Sequence, residues 1–183
     1  MIHEVEENKN YVILKNTNAG TWRYLIGDTI KFVDIEKNEI IITGRTKHFL
    51  SLVGEHLSVD NMNCAIKQVS EELNISIGEF TVAGVPCGNF FAHHWFIATD
   101  DKVNSENLKI RIDEKLQELN DDYEVERKHA LKEVFVDVLS EKTFMNFMKA
   151  KGKVGGQHKF PRVLKGKMLE DWKKFLKGEK VEI

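Results

Sequence analysis

The chain has 183 residues, 42% of them hydrophobic and 31% charged, with a formal net charge of −2. This is the make-up of a soluble globular domain, or of one domain with a small appendage. No run reaches the apolar length that crosses a bilayer, and the acidic, polar Met1–Asn10 lacks the form of a secretory leader. Two cysteines, Cys64 and Cys87, do not make a disulfide framework, and free thiols in a cytoplasmic protein are the simpler expectation.

The charge is unevenly spread. Residues 142–180 hold eleven Lys and one Arg against Glu170, Asp171 and Glu179, a local balance of +9 that leaves −11 for the rest. A segment of this kind either meets something anionic or forms a solvated basic surface.

Taken in chain order, Tyr11–Leu14, Trp22–Leu25, Ile30–Val33 and Ile40–Thr43 are short β-prone runs. Turn residues at Asn16–Gly20, Gly27-Asp28 and Glu36–Asn38 separate them. They predict a small antiparallel meander, too small to hold a good core alone. Ser58–Leu73 predicts a helix with Met62, Ala65, Ile66, Val69 and Leu73 on one face. Ile75–Val85 and Asn89–Thr99 predict two strands joined around Pro86-Cys87-Gly88. Ser105–Asn120 predicts a second helix and Leu131–Leu139 a further strand. With a leading segment near Phe49–Val53, this order is the split βαβ pattern, so the expectation is an α+β fold with a mixed-sheet sandwich. Lys142–Ala150 and Gly166–Leu176 predict C-terminal helices around a Gly-rich basic loop, Lys151–Arg162.

Three places could carry chemistry. Asp28 follows Gly27 at the end of a predicted strand; a carboxylate there can accept two hydrogen bonds from a ribose diol, or simply occupy a hairpin turn. Gly44-Arg45 lies where the meander gives way to the α+β unit, and Arg45 could bind a phosphate or carboxylate bidentately or form a surface ion pair. In the basic loop, Gly155 and Gly156 can bring backbone N–H groups to an oxyanion, and Lys159 supplies a point charge suited to a phosphoryl group. The loop does not fit the Walker pattern.

In order, the motifs are Gly-x-x-Arg-Tyr-x-x-Gly-Asp (20–28), Gly-Arg-x-x-x-x-Leu-Ser-Leu-x-Gly-Glu (44–55) and Gly-Gly-Gln-His-Lys-x-Pro-Arg (155–162). Together they resemble the auxin-responsive acyl acid-amido synthetases, the Gretchen Hagen three family, with its bacterial relatives. The resemblance runs from about Gly20 to Leu176. It implies an adenylate-forming enzyme that uses ATP and Mg²⁺ to turn a carboxylic acid into an acyl-adenylate, from which an amino acid displaces AMP. It implies that Asp28 matches the ribose-binding Asp, and that Arg45 matches the Arg beside the hinge. Lys47 falls near the pivot, and Lys159 matches the C-terminal catalytic lysine, with Lys153 as the fallback. It also implies that residues 1–43 end a large adenylating domain and that residues 44–183 form a mobile lid. Nothing before Gly20 resembles the family's phosphate loop. The acyl pocket and most of the ATP site are therefore expected in an N-terminal adenylating domain of the same protein, and this chain alone is expected to be inactive.

His93-His94 with Cys87 fits no zinc spacing, so no metal site is expected. The two histidines should point to opposite faces of a strand, at its surface. Phe90, Phe91, Trp95 and Phe96 are expected in the core. Two other functional readings compete: a nucleic-acid-binding basic tail with Phe144, Phe147, Phe160 and Trp172, and a stand-alone interaction module that docks through an apolar face of the meander.

Overall fold

The computed structural model describes residues 4–45, 49–153 and 159–178. Two compact units divide the chain: Met1–Phe49 with Ser58–Asp60, and Leu50–Leu57 with Asn61–Ile183.

In the first unit, β1 (Asn10–Lys15), β2 (Tyr24–Asp34) and β3 (Glu39–Arg45) form an antiparallel sheet in that order. The predicted strands Trp22–Leu25 and Ile30–Val33 prove to be largely one strand. The Gly27-Asp28 pair that reads as a turn is a bulge within it. Val12 pairs with Thr29 and Leu14 with Leu25, so Ile26, Gly27 and Asp28 together stand opposite Ile13. Gly27 takes φ 89°, a conformation open to a residue without Cβ, and this lets the strand kink without ending. Ile30 and Phe32 are buried, with Tyr11 edge-on to Phe32 at 6.2 Å. Val12, Leu14, Trp22, Tyr24, Leu25, Ile40, Ile41 and Ile42 are exposed.

The second unit is built on a mixed sheet. A short ribbon pairs β4 (Phe49–Leu50) with β5 (Leu57–Ser58), and α1 (Val59–Leu73) follows, burying Met62, Ala65, Ile66 and Val69 at helical spacing. β6 (Glu79–Cys87) and β7 (Phe90–Ala98) form a hairpin closed by Gly88-Asn89, with Gly88 at φ 60°. β6 thus runs through Pro86. Its other neighbour reaches only Val82 and Ala83, so the missing proline N–H leaves no ladder bond unmade.

α2 (Ser105–Leu119) starts at Asn104, whose side chain accepts from the amides of Glu106 and Asn107. α3 (Asp121–His129) was not expected, because Tyr123 is its one buried residue and no apolar stripe marks it. Its signal is electrostatic: Asp121, Asp122 and Glu124 in the first turn, and Arg127, Lys128 and His129 in the last. β8 (Leu131–Leu139), α4 (Glu141–Ala150), β9 (Val163–Leu164) and α5 (Gly166–Leu176) complete the unit.

The sheet order is β8-β7-β6-β9, antiparallel between β6 and β7 and parallel at both flanks. The α+β, split βαβ-like expectation holds, with one correction. The segment near Phe49 does not join this sheet; its fourth strand is β9, from the C-terminal end. Helices cover both faces. Trp95 and Ile97 of β7 pack with α1, α2 and Tyr123, while Phe96 and Ala98 pack with Phe144, Phe147, Phe160 and Trp172. Phe90 and Phe91 are exposed rather than core, because they sit at the open start of β7.

Candidate functional site

Asp28 lies half-buried in the β2 bulge, and its Cα partner on β3 is Arg45, next to the pair Thr29–Gly44. The sheet register therefore joins the end of the first motif to the start of the second. Sixteen residues of chain lie between Asp28 and Arg45, and nothing in either motif alone announces the pairing. Lys47, the expected pivot residue, lies outside the described residues, as do Gly155 and Gly156.

The second motif ends on Glu55, which sequence reasoning left without a role. Its carboxylate is fully buried and accepts from the amides of Leu52 (2.9 Å) and Val53 (3.0 Å). It also meets His93 Nε2 at 3.0 Å. A carboxylate only accepts, so Nε2 carries the proton and donates. Burial pushes the Glu55 carboxyl up, but the His93 and amide bonds outweigh it and hold it at about 2. Burial lowers His93, against the pull of Glu55.

His93 is thus not a surface residue, which corrects the sequence expectation. The opposed orientation of the two histidines does hold. His94 faces the other way, bonded to Asp137 at 2.9 Å and stacked on Phe96 at 4.3 Å between centroids. Beside His93, Tyr123 donates to Asp113 (2.7 Å), and Arg127 grips the same carboxylate at 2.8 Å and the Leu131 carbonyl. Burial and then Asp113 raise the Tyr123 hydroxyl well above its ordinary value.

Lys159 is exposed, and the chain just after it is firmly held. Phe160 is buried among Phe144, Phe147 and Trp172. The Pro161 carbonyl accepts from Thr81 Oγ1 at 2.7 Å, and the Arg162 carbonyl from the Val82 amide at 2.9 Å. Arg162 itself is not free for an anion. It pairs with Glu79, donates to the Phe80 carbonyl and lies over the Phe80 ring at 4.2 Å. Lys153, the fallback, is also exposed. Lys151, first in the basic loop, is bound to Asp171 at 3.0 Å.

Among the described residues no group of three or more His, Cys, Asp or Glu could hold a metal ion, and no helix is long and apolar enough to cross a membrane. Phe144, Phe147, Phe160 and Trp172 are core residues, so their rings offer no stacking surface to bases.

Residues 60–167 match the family model of the GH3 family C-terminal domain, and residues 1–43 that of the GH3 family central domain. The chain belongs to the GH3 family, of which it carries a C-terminal part. Its fold is similar to GH3.15 acyl acid amido synthetase, with TM-score 0.77, 18% identity, and coverage of 99% of this chain and 34% of that one. It is similar to AtGH3.15 acyl acid amido synthetase in complex with 2,4-DB, with TM-score 0.71, 19% identity and coverage of 99% and 34%. It is also similar to a 2-hydroxyisobutyryl-CoA ligase in the postadenylation state in complex with R3-HIB-AMP, with TM-score 0.54, 12% identity and coverage of 95% and 35%. The chain thus spans about a third of the length of these structures. No curated protein matches it in sequence.

Proposed function

We propose that this chain is the C-terminal part of an ATP-dependent acyl-adenylate-forming amide synthetase, inactive without its adenylating domain. In the complete reaction a carboxylate attacks the α-phosphorus of ATP and releases pyrophosphate. An amino acid amine then attacks the acyl carbon and expels AMP. Asp28 serves the ribose, Arg45 stands beside it at the end of β3, and Lys159 stabilises the charge that develops during adenylation. Gly155 and Gly156 offer amides to the phosphate, and Lys47 marks the pivot. Residues 1–43 close the large domain, and residues 44–183 form the lid that changes place between the two steps. Mg²⁺ would arrive with ATP in the complete enzyme. Free Cys64 and Cys87 fit a cytoplasmic protein.

The observation that carries this reading is the pairing of Asp28 with Arg45 in one sheet, within a family whose solved members match this chain end to end. The test is carboxylate-dependent pyrophosphate exchange into ATP by the complete protein that contains this chain. Exchange that needs an acid and is lost in the isolated 183 residues supports it; no exchange with any acid offered refutes it.

A second reading, a stand-alone interaction module, draws on the exposed apolar residues of the first unit, Trp22 at 79% and Ile42 at 72% among them. The intact mass of the native polypeptide decides between them. A much larger protein favours the synthetase, in which the adenylating domain covers that surface, and a mass of 183 residues favours the module.

A further inference from the structure

Glu55 and His93 are both fully buried, and the proposed chemistry uses neither. A buried carboxylate bonded to an imidazole is seldom the best way to gain stability, because apolar residues of similar volume often do as well. What it adds is direction. The carboxylate fixes the backbone of Leu52 and Val53 to one imidazole on β7.

A second contact fixes the same segment to the same place. Leu52 lies over Gly84 so closely that a Cβ there would stand 2.3 Å from Leu52 Cδ2. Gly84 and His93 are Cα partners in the β6–β7 ladder, so the side chains of Leu52 and Glu55 grip one registered pair. Leu50 and Leu57 at the segment's ends are core residues, and Asn120 Nδ2 donates to the His56 carbonyl at 3.4 Å. The neighbouring pair, Ala83–Leu164, ties β6 to β9, just beyond the Phe160–Arg162 anchor that follows Lys159.

We propose that Glu55 and His93 are positioning residues that make Leu50–Leu57 a rigid part of the four-stranded body, so that any displacement of this body carries Lys159 without slack. The inference rests on the synthetase reading, in which the body changes place between two chemical steps. The chain enters the body at Leu50, and from there to Lys159 the route runs from Glu55 to His93 by a hydrogen bond, from β7 to β6 to β9 by strand pairing, and back along the anchored Phe160–Arg162 segment. A loop free to shift on the body would leave the lysine's placement undefined by ångströms, which suffices to lower a rate about a hundredfold.

The test has two arms, using Glu55→Gln and His93→Gln. In the first, amide hydrogen exchange is followed in this chain. The Leu52 and Val53 amides of the unsubstituted chain should be as protected as Val82 and Phe96 in the sheet. In both variants they should exchange at least about tenfold faster, while Val82 and Phe96 keep their protection. Unchanged protection of Leu52 and Val53 overturns the proposal, and so does a parallel loss in the sheet, which would mean an ordinary core pair. In the second arm, the complete protein carrying either substitution should lose kcat in pyrophosphate exchange while KM for ATP stays within about twofold, and Glu55→Asp should not restore it. An unchanged kcat overturns the positioning role. Absence of exchange in the unsubstituted complete protein refutes the synthetase reading and the positioning role with it, while the first arm still reports whether the clamp exists.

Discussion

Asp28 stands across from Arg45 in the β2–β3 ladder, a register that shifts twice further along β2, between Thr29 and Ile30 and between Phe32 and Asp34. The bulge at Gly27-Asp28 keeps the strand running through what the residues advertise as a turn. If Asp28 holds the ribose, Asp28→Ala in the complete protein should raise KM for ATP about tenfold to a hundredfold, the worth of hydrogen bonds to a charged group. Steady-state kinetics with ATP varied would show it, and an unchanged KM would remove Asp28 from the nucleotide site.

Lys159 follows a different logic, since its charge is expected to matter only as charge develops on the phosphate. Lys159→Ala should lower the rate of acyl-adenylate formation by about 10²–10³-fold. Amide formation from a supplied acyl-adenylate should be much less affected. If Lys153→Ala produces the loss instead, the assignment moves to Lys153.

Acid should weaken the second unit in two stages. His93 is held below 6.5 in the folded chain, so the unfolded chain takes up its proton first, and stability begins to fall as pH drops through 6.5. Glu55 is lowered from 4.5 to about 2, so its contribution is whole above pH 4.5 and lost as pH falls toward 2. That shift corresponds to about 3 kcal/mol. Urea unfolding between pH 7 and pH 3 should show both stages in the native chain. In Glu55→Gln the lower stage should shrink, leaving what the lowered Glu133 carboxyl contributes.

Lys151 and Asp171 form a nearly buried ion pair between the end of α4 and α5. Removing the carboxylate takes away the countercharge that offsets the burial of Lys151, which costs up to about 3–5 kcal/mol. Asp171→Ala should therefore lower the unfolding midpoint far more than Glu170→Ala, an exposed neighbour on the same helix. Equal effects of the two substitutions would show that the ion pair contributes nothing beyond helix propensity.

Gly84→Ala should be among the most damaging small substitutions in the sheet, because the added methyl group meets Leu52 rather than open space. A destabilisation of about 1–3 kcal/mol is expected. Adding Leu52→Ala should recover part of it, measured as a double-mutant cycle.

The sequence by itself determined the helices with an apolar stripe, the β6–β7 hairpin region and the order of the three motifs. All of these rest on local spacing or on a fixed string of residue types. α3 was invisible to that spacing because one residue, Tyr123, carries its packing. β9 was invisible because two residues, Val163 and Leu164, have meaning only beside Val82 and Ala83. Tertiary structure alone decided that Gly27-Asp28 is a bulge and that Asp28 meets Arg45, because strand register is a property of two segments rather than one. It also decided that His93 is buried. A histidine on a strand has two faces open to it, and only the arrival of Glu55, thirty-eight residues upstream, fixes which one is inside.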